Sequence, residues 1–462
     1  MITASAFADQ RYAVLGLARS GDAAARSLLA SGAQVTVWDR QPDAREAFEG
    51  QCAIADPLEL DLSGFDGVVV SPGVPLNTHP IGPHAAQFGV PVIGDIELFA
   101  LARPELMAHK VVGITGTNGK STTVALVHHI LQMAGLPSVL GGNIGEPIMG
   151  REPLAPGDQG LGVYVLELSS YQIDLTFNLD CEVAALTNIT PDHLDRYDGF
   201  AGYAASKARL FEFQSAGNLA VFGSLDEPCG AIFERERARR SKGRAVHADR
   251  ACLRDLQSEW PTLQGPHNLQ NAAVAIAIVE ELGVTPAQWR HALPRFRNLP
   301  HRMEPVCEED GVLYINDSKA TNTASSAPAL AAFPPDPAVR EGARRVHWIV
   351  GGLAKEDGLG ECAGHLDNLA AAYTVGEAGG RFAELLSGKI PAVERCELIS
   401  EAVRRARENA QAGDVVLFSP ACASFDQFRD YEKRGEHFRQ LVSVIAECED
   451  CSPAAFARDD VR

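Results

Sequence analysis

The chain has 462 residues, 46% of them hydrophobic and 22% charged, with a formal charge of −19 and ten cysteines. That length fits two to four domains of ordinary globular composition, and the acidic surplus argues against a nucleic-acid partner, whose phosphates need Lys and Arg. No stretch is long and apolar enough to span a membrane and no basic-then-apolar leader opens the chain; the scattered cysteines, Cys448 and Cys451 included, read as reduced thiols, so a cytoplasmic protein is expected.

Strand-like and helix-like runs alternate along the chain, which predicts an α/β fold. The opening run, Arg11-Tyr-Ala-Val-Leu-Gly-Leu-Ala-Arg-Ser-Gly21, leads into a helix pattern and a second strand that ends at Asp39. Gly16 and Gly21 keep two positions of a dinucleotide-type glycine fingerprint, and Ala18 takes the middle one. Asp39 stands where an acidic residue commonly meets a ribose hydroxyl. A third strand runs into the turn Ser71-Pro72-Gly73. This block ends near Arg103-Pro104, and the expected domains are residues 1–104, 105–302 and 303–462.

The second block opens with His109-Lys-Val-Val-Gly-Ile-Thr115, followed by Gly116-Thr117-Asn118-Gly119-Lys120-Ser121-Thr122 and a helix-like run. A strand, a glycine-rich loop and a helix make a phosphate cradle: backbone N–H groups and the helix N-terminus face the anion. Lys120 can neutralise a phosphate and Ser121 can ligate Mg²⁺. The first glycine of the common P-loop spacing is here Ile114. Glu167 lies in the apolar run Gly162-Val-Tyr-Val-Leu-Glu-Leu-Ser-Ser170, where a carboxylate must be paired, protonated or on a metal. A second metal ligand beside Ser121 is the economical reading; the alternative is a cap for the following helix. His193 follows a strand end, and Lys207 sits in a small-residue helix with nothing local to distinguish it. The third block carries strands that end in loops rich in Gly, Ser, Asp and Lys, the usual ligand edge of a parallel sheet. Ser424, with Gln427 three residues on, reads as the capped N-terminus of a helix over Phe425–Phe438.

Six stretches in this order resemble the Mur ligase family: Ile114–Thr123, Glu167–Gln172, Asn188–His193, His267–Asn271, Asp317–Asn322 and Ser419–Phe428. The resemblance spans nearly the whole chain. It implies three domains, namely an N-terminal Rossmann-like domain for a UDP substrate, a central P-loop ATPase-like parallel sheet, and a C-terminal Rossmann-like domain for an amino acid. It implies an ATP-dependent ligase that converts a carboxylate to an acyl phosphate and then to an amide. The first-domain length and the Asp317–Asn322 and Ser419–Ser424 stretches point to members that add D-glutamate to UDP-N-acetylmuramoyl-L-alanine. The other readings are a sister ligase, an L-glutamate-adding variant, a folylpolyglutamate synthase or a non-enzymatic ATP switch.

Carried over by resemblance, Lys120, His193 and Lys207 are catalytic, and Gly116, Thr117, Asn118, Gly119, Lys120, Ser121, Thr122, Asn271, Arg302 and Asp317 contact ATP. Ser121 and Glu167 hold one Mg²⁺; His193 and Lys207 hold a second, with Lys207 carbamylated into an anionic ligand. Ala18, Asp39, Arg40, Ser71, Gly73 and Asn143 face the UDP substrate, and Thr321, Lys355, Ser424 and Phe425 the incoming amino acid. Phe425 and Tyr431 stand where the family has Leu and Phe, and Gln41 where it has a basic residue. The small-molecule substrates are the only partners implied, and a monomer is expected.

Overall fold

Short runs rich in Val, Ile, Leu and Ala build three sheets. The computed structural model describes residues 1–155, 161–194, 196–297, 299–335 and 343–445. Asn298, Cys448 and Cys451 lie outside them. The chain divides into two compact units, Met1–Phe296 and Arg297–Arg462, the first holding two of the sheets.

The first sheet is parallel: β1 (Arg11–Leu15), β2 (Gln34–Trp38), β3 (Ala53–Ile54), β4 (Gly67–Val70) and β5 (Val92–Ile93), in the order β3-β2-β1-β4-β5. Its direction of winding reverses between β1 and β4, which is where ligands bind in such sheets. The second is also parallel: β6 (His109–Thr115), β7 (Ser138–Gly142), β8 (Gly162–Glu167), β9 (Val183–Leu186), β10 (Leu219–Phe222) and β11 (Ala245–His247), in the order β11-β10-β9-β6-β8-β7. Strands β8 and β9 are buried at every position, as expected of strands covered on both faces.

The third sheet, in the second unit, is mixed. Its strands are β12 (Glu304–Glu309), β13 (Val312–Asn316), β14 (Val346–Gly351), β15 (Leu369–Val375), β16 (Val393–Glu397) and β17 (Val415–Phe418), ordered β12-β13-β17-β14-β15-β16. Edge strand β12 runs antiparallel to β13 and the rest run parallel. The three-domain α/β architecture expected from the sequence is therefore present. No helix among the described residues is long and apolar enough to cross a membrane.

One local expectation fails. The last helix among the described residues is Tyr431–Ile445, not Phe425–Phe438, and Ser424 does not cap it. The Ser424 carbonyl instead accepts from Gln427 and Phe428 N–H, closing a turn, while the Gln427 side chain donates to the Glu397 carbonyl. Asp430 supplies the cap: its carboxylate accepts from Lys433 N–H at 2.7 Å. An aspartate directly before the helix outcompetes a serine six residues upstream, because it reaches the open N–H groups of the first turn.

Candidate active site

Strand β6 delivers Gly116–Gly119 to the N-terminus of helix Lys120–Met133. Gly119 occupies the N-cap with φ of +82°, and no side chain caps the helix. A Cβ there would stand 2.2 Å from Asn271 Oδ1, and one on Gly116 1.9 Å from Thr187 Oγ1. Only glycine fits at either position. The loop is held from behind by the segment after β9. Asn118 N–H donates to Asn188 Oδ1 (2.9 Å), and the Asn118 carbonyl accepts from Thr187 Oγ1 (2.7 Å) and Asn188 Nδ2 (3.1 Å). Thr117 N–H donates to the Asn188 carbonyl at 2.9 Å. The Thr117 hydroxyl lies 3.1 Å from the Thr190 carbonyl and 3.2 Å from Tyr203 Oη.

The two lysines converge on this loop. Lys120 folds back, donating to the carbonyls of Gly116 (2.9 Å) and Thr117 (2.7 Å). Lys207, from helix Gly199–Glu212, is 1% exposed and donates to the same Gly116 carbonyl at 2.8 Å. Burial first, and the charge of Lys120 second, push the Lys207 ammonium well below its ordinary pKa, against the pull of Asp192, Asp174 and Glu167. A lysine that looks ordinary in the sequence is thus a buried amine with a weakened hold on its proton.

Ser121 and Glu167 are also 1% exposed. Glu167 ends β8 in register with Ile114 of β6. Its carboxylate accepts from Asn143 Nδ2 at 2.9 Å, and its carbonyl from Asn143 N–H. It does not cap the next helix, since Ser169 and Gln172 form that capping box themselves. A buried hydroxyl in the first turn of helix Lys120–Met133 and a buried carboxylate at the end of β8 are hard oxygen donors, a set that suits Mg²⁺. His193 has a left-handed backbone, φ +52°, and its ring lies 5.2 Å from that of Tyr171. Beside it, Arg196 stacks on Tyr171 (4.3 Å) and donates to the Val74 carbonyl (3.0 Å). Tyr171 and Arg196 border a cavity of about 640 Å³ that also touches Pro72, Tyr197 and Arg209.

At the first sheet, Ala18 is the N-cap residue of helix Arg19–Ala30, with no side-chain cap. The Asp39 carboxylate accepts from Leu17 N–H (2.7 Å) and Gln41 N–H (2.9 Å), bracing the turn after β1. Ser71 is buried against Gly16 and Gly21, while Arg40 and Gly73 are exposed. Asn271 lines the phosphate loop from helix Gly265–Glu281, and Thr122 is half-buried in the first turn of helix Lys120–Met133.

The remaining residues lie in the second unit, on loops after three adjacent strands. Asp317 and Thr321 follow β13, Lys355 follows β14, and Ser424 and Phe425 follow β17. Asp317 accepts from Ser419 Oγ (2.7 Å) and Met303 N–H (3.1 Å), and burial raises its pKa to about 7. Arg302 lies one residue before Met303 on the same turn. Ser424 is buried, Lys355 is exposed and Phe425 is 71% exposed. Sequence reasoning passed over Lys319, whose ammonium lies 4.9 Å from the Tyr431 ring centroid, and over Asn188, Tyr203 and Arg196. For Asn188 the signal was a run of polar residues directly after a buried strand.

Residues 114–279 match the Mur ligase middle domain and 301–422 the Mur ligase glutamate ligase domain. A relative from Novosphingobium aromaticivorans named UDP-N-acetylmuramoylalanine-D-glutamate ligase is 61% identical, over 98% of this chain and 100% of its own. One of the same name from Sphingopyxis alaskensis is 56% identical, over 96% and 100%. The solved MurF ligase of Thermotoga maritima in complex with ADP superimposes with a TM-score of 0.57 at 15% identity, covering 96% of this chain and 99% of that one, a likeness of fold. With both domain models matched and such identity over the full length, the chain belongs to the Mur ligase family.

Proposed function

We propose that this ligase joins D-glutamate to UDP-N-acetylmuramoyl-L-alanine at the expense of ATP, in the cytoplasmic synthesis of peptidoglycan precursor. The observation that carries the chemistry is the meeting of Lys120 and Lys207 on the Gly116 carbonyl, at the uncapped start of a helix. The loop amides and Lys120 would hold the ATP phosphates, because phosphoryl transfer to a carboxylate needs positioning and neutralisation more than covalent help. The substrate carboxylate attacks the γ-phosphorus, ADP leaves, and the glutamate amine displaces phosphate from the acyl phosphate to form the amide. Asn271, Arg302 and Asp317 would contact the rest of ATP. The turns at Ala18, Asp39, Arg40, Ser71 and Gly73 would take the UDP moiety, with Asn143 at the muramoyl end.

Ser121 and Glu167 would hold one Mg²⁺, which supplies charge neutralisation at the phosphates. A second ion at His193 requires Lys207 to carry a carboxylate, since an ammonium repels a cation. The lowered pKa of Lys207 favours the neutral amine that reacts with CO₂ to give a carbamate. In the second unit, Lys355, Thr321, Ser424 and Phe425 would receive the amino acid. The choice of D-glutamate is supported by the names of the relatives.

The test is phosphate release with ATP, Mg²⁺ and UDP-N-acetylmuramoyl-L-alanine, comparing D-glutamate, L-glutamate and no amino acid. Release that depends on D-glutamate, with the matching amide product, is expected. Release with L-glutamate alone would keep the mechanism and change the acceptor. No release with either would remove the proposal.

A further inference from the structure

Arg434 is the fourth residue of helix Tyr431–Ile445 and is 2% exposed. Its guanidinium reaches two of the loops assigned to the amino acid. Nε donates to Ser318 Oγ (3.1 Å) and Nη2 to the Ser318 carbonyl (2.7 Å), on the loop that carries Asp317 and Thr321. Nη1 donates to the Cys422 carbonyl (3.0 Å), on the loop that carries Ser424 and Phe425. A third loop packs against the same group: a Cβ on Gly352, three residues before Lys355, would lie 3.2 Å from Nη1. Leu353 and Ala423 exchange both backbone hydrogen bonds, which joins that third loop to the second. Ser318 Oγ in turn donates to the Tyr431 carbonyl (2.8 Å), which returns the network to the start of the helix.

We propose that Arg434 is a positioning residue for the amino-acid site, fixing the spacing between the Thr321 and Ser424 loops and so setting the affinity for the incoming amino acid. This rests on the reading proposed above for those loops. A rigid, planar fork suits that role, because three donors with fixed mutual angles serve two loops at once. A lysine has one flexible ammonium and satisfies one loop or the other. Charge-assisted bonds of this kind to buried carbonyls are among the stronger ones, so losing those to one loop leaves Ser318 and Cys422 without their shared tie, and the loops are then held together only nearer the strands, where Ser419 Oγ bonds Asp317.

The test compares wild type with Arg434→Lys and with the milder Ser318→Ala, which removes one acceptor and leaves the charge. For Arg434→Lys the KM for D-glutamate is expected to rise about tenfold, with kcat within roughly threefold of wild type and KM for the UDP substrate unchanged. Ser318→Ala should move the same constant in the same direction by a smaller factor. Amide hydrogen exchange supplies a readout that needs no substrate: in Arg434→Lys the amides of residues 317–323 and 420–426 should exchange faster together, while those of β13 and β17 keep their protection. Unchanged exchange in either loop, or an unchanged D-glutamate KM in an active Arg434→Lys enzyme, would overturn the proposal. So would a parallel fall in kcat and all affinities that tracks a lower melting temperature, since that is the mark of general destabilisation. A wild-type protein indifferent to D-glutamate would sink the functional reading instead, and the exchange data would still decide whether Arg434 ties the loops.

Discussion

Lys207 gains its character from its surroundings. Helix Gly199–Glu212 buries Tyr203, Ala204, Ser206, Ala208, Leu210 and Phe211, and the lysine shares that face, where its ring neighbour is Tyr203 (4.6 Å) and its acceptor is the Gly116 carbonyl. Removing it tests the carboxylate role directly. Lys207→Ala should lower kcat by roughly a hundredfold or more, the scale seen when one preorganised charge-stabilising group is lost. Added formate or acetate should restore part of that loss by occupying the vacated space as an oxygen ligand. Lys207→Arg keeps the positive charge but forms no carbamate, so it should stay inactive with or without added carboxylate. Full activity in Lys207→Ala, measured as D-glutamate-dependent phosphate release, would exclude the second-metal role. The sequence placed this residue only through the family resemblance, because burial and the nearness of Lys120 are products of packing between segments far apart in the chain.

At the scale of elements, the phosphate loop was legible because its signals are local. The strand-like run His109–Thr115, two glycines and a helix-like run lie in sequence order. What holds the loop was not legible, since the clamp comes from Thr187 and Asn188, about seventy residues away. The misread helix at Ser424 is the converse case. A Ser-x-x-Gln spacing satisfies the local capping pattern, yet Ser424 closes a turn with Gln427 and Phe428 directly after Ala423, which pairs with Leu353, and Asp430 starts the helix. Asn188→Ala removes two side-chain bonds to the loop, one accepted from Asn118 N–H and one donated to the Asn118 carbonyl. It should cost about 1–3 kcal/mol of stability. It should also raise the KM for ATP several-fold, with the KM for D-glutamate unchanged. Urea unfolding and nucleotide-dependent initial rates check both parts. An unaltered ATP KM would mean that the loop keeps its shape without the clamp.

For the whole molecule, the sequence predicts three domains while the contacts divide the chain into two units, and the cores explain the difference. The first two sheets share one continuous apolar core, from Ile2 and Phe7 through Phe99 to Leu168 and Phe222. Polar ties reinforce it. The Glu97 carboxylate, buried in helix Asp95–Ala102, accepts from Phe177 N–H (2.7 Å) and Asn178 N–H (3.0 Å), and Ile2 N–H donates to the Met149 carbonyl (3.1 Å). The third sheet closes its own cores on its two faces, from residues between Met303 and Val442 alone. A fragment starting at residue 297 should therefore fold by itself and melt in one cooperative transition, with dispersed amide resonances. A fragment of residues 1–104 should not, because the apolar side chains it shares with the second sheet would face water and Glu97 would lose its backbone partners. Circular dichroism and proton NMR of the two fragments distinguish the outcomes. A stable 1–104 fragment would show that the shared core is a docking surface between independent domains rather than the interior of one folding unit.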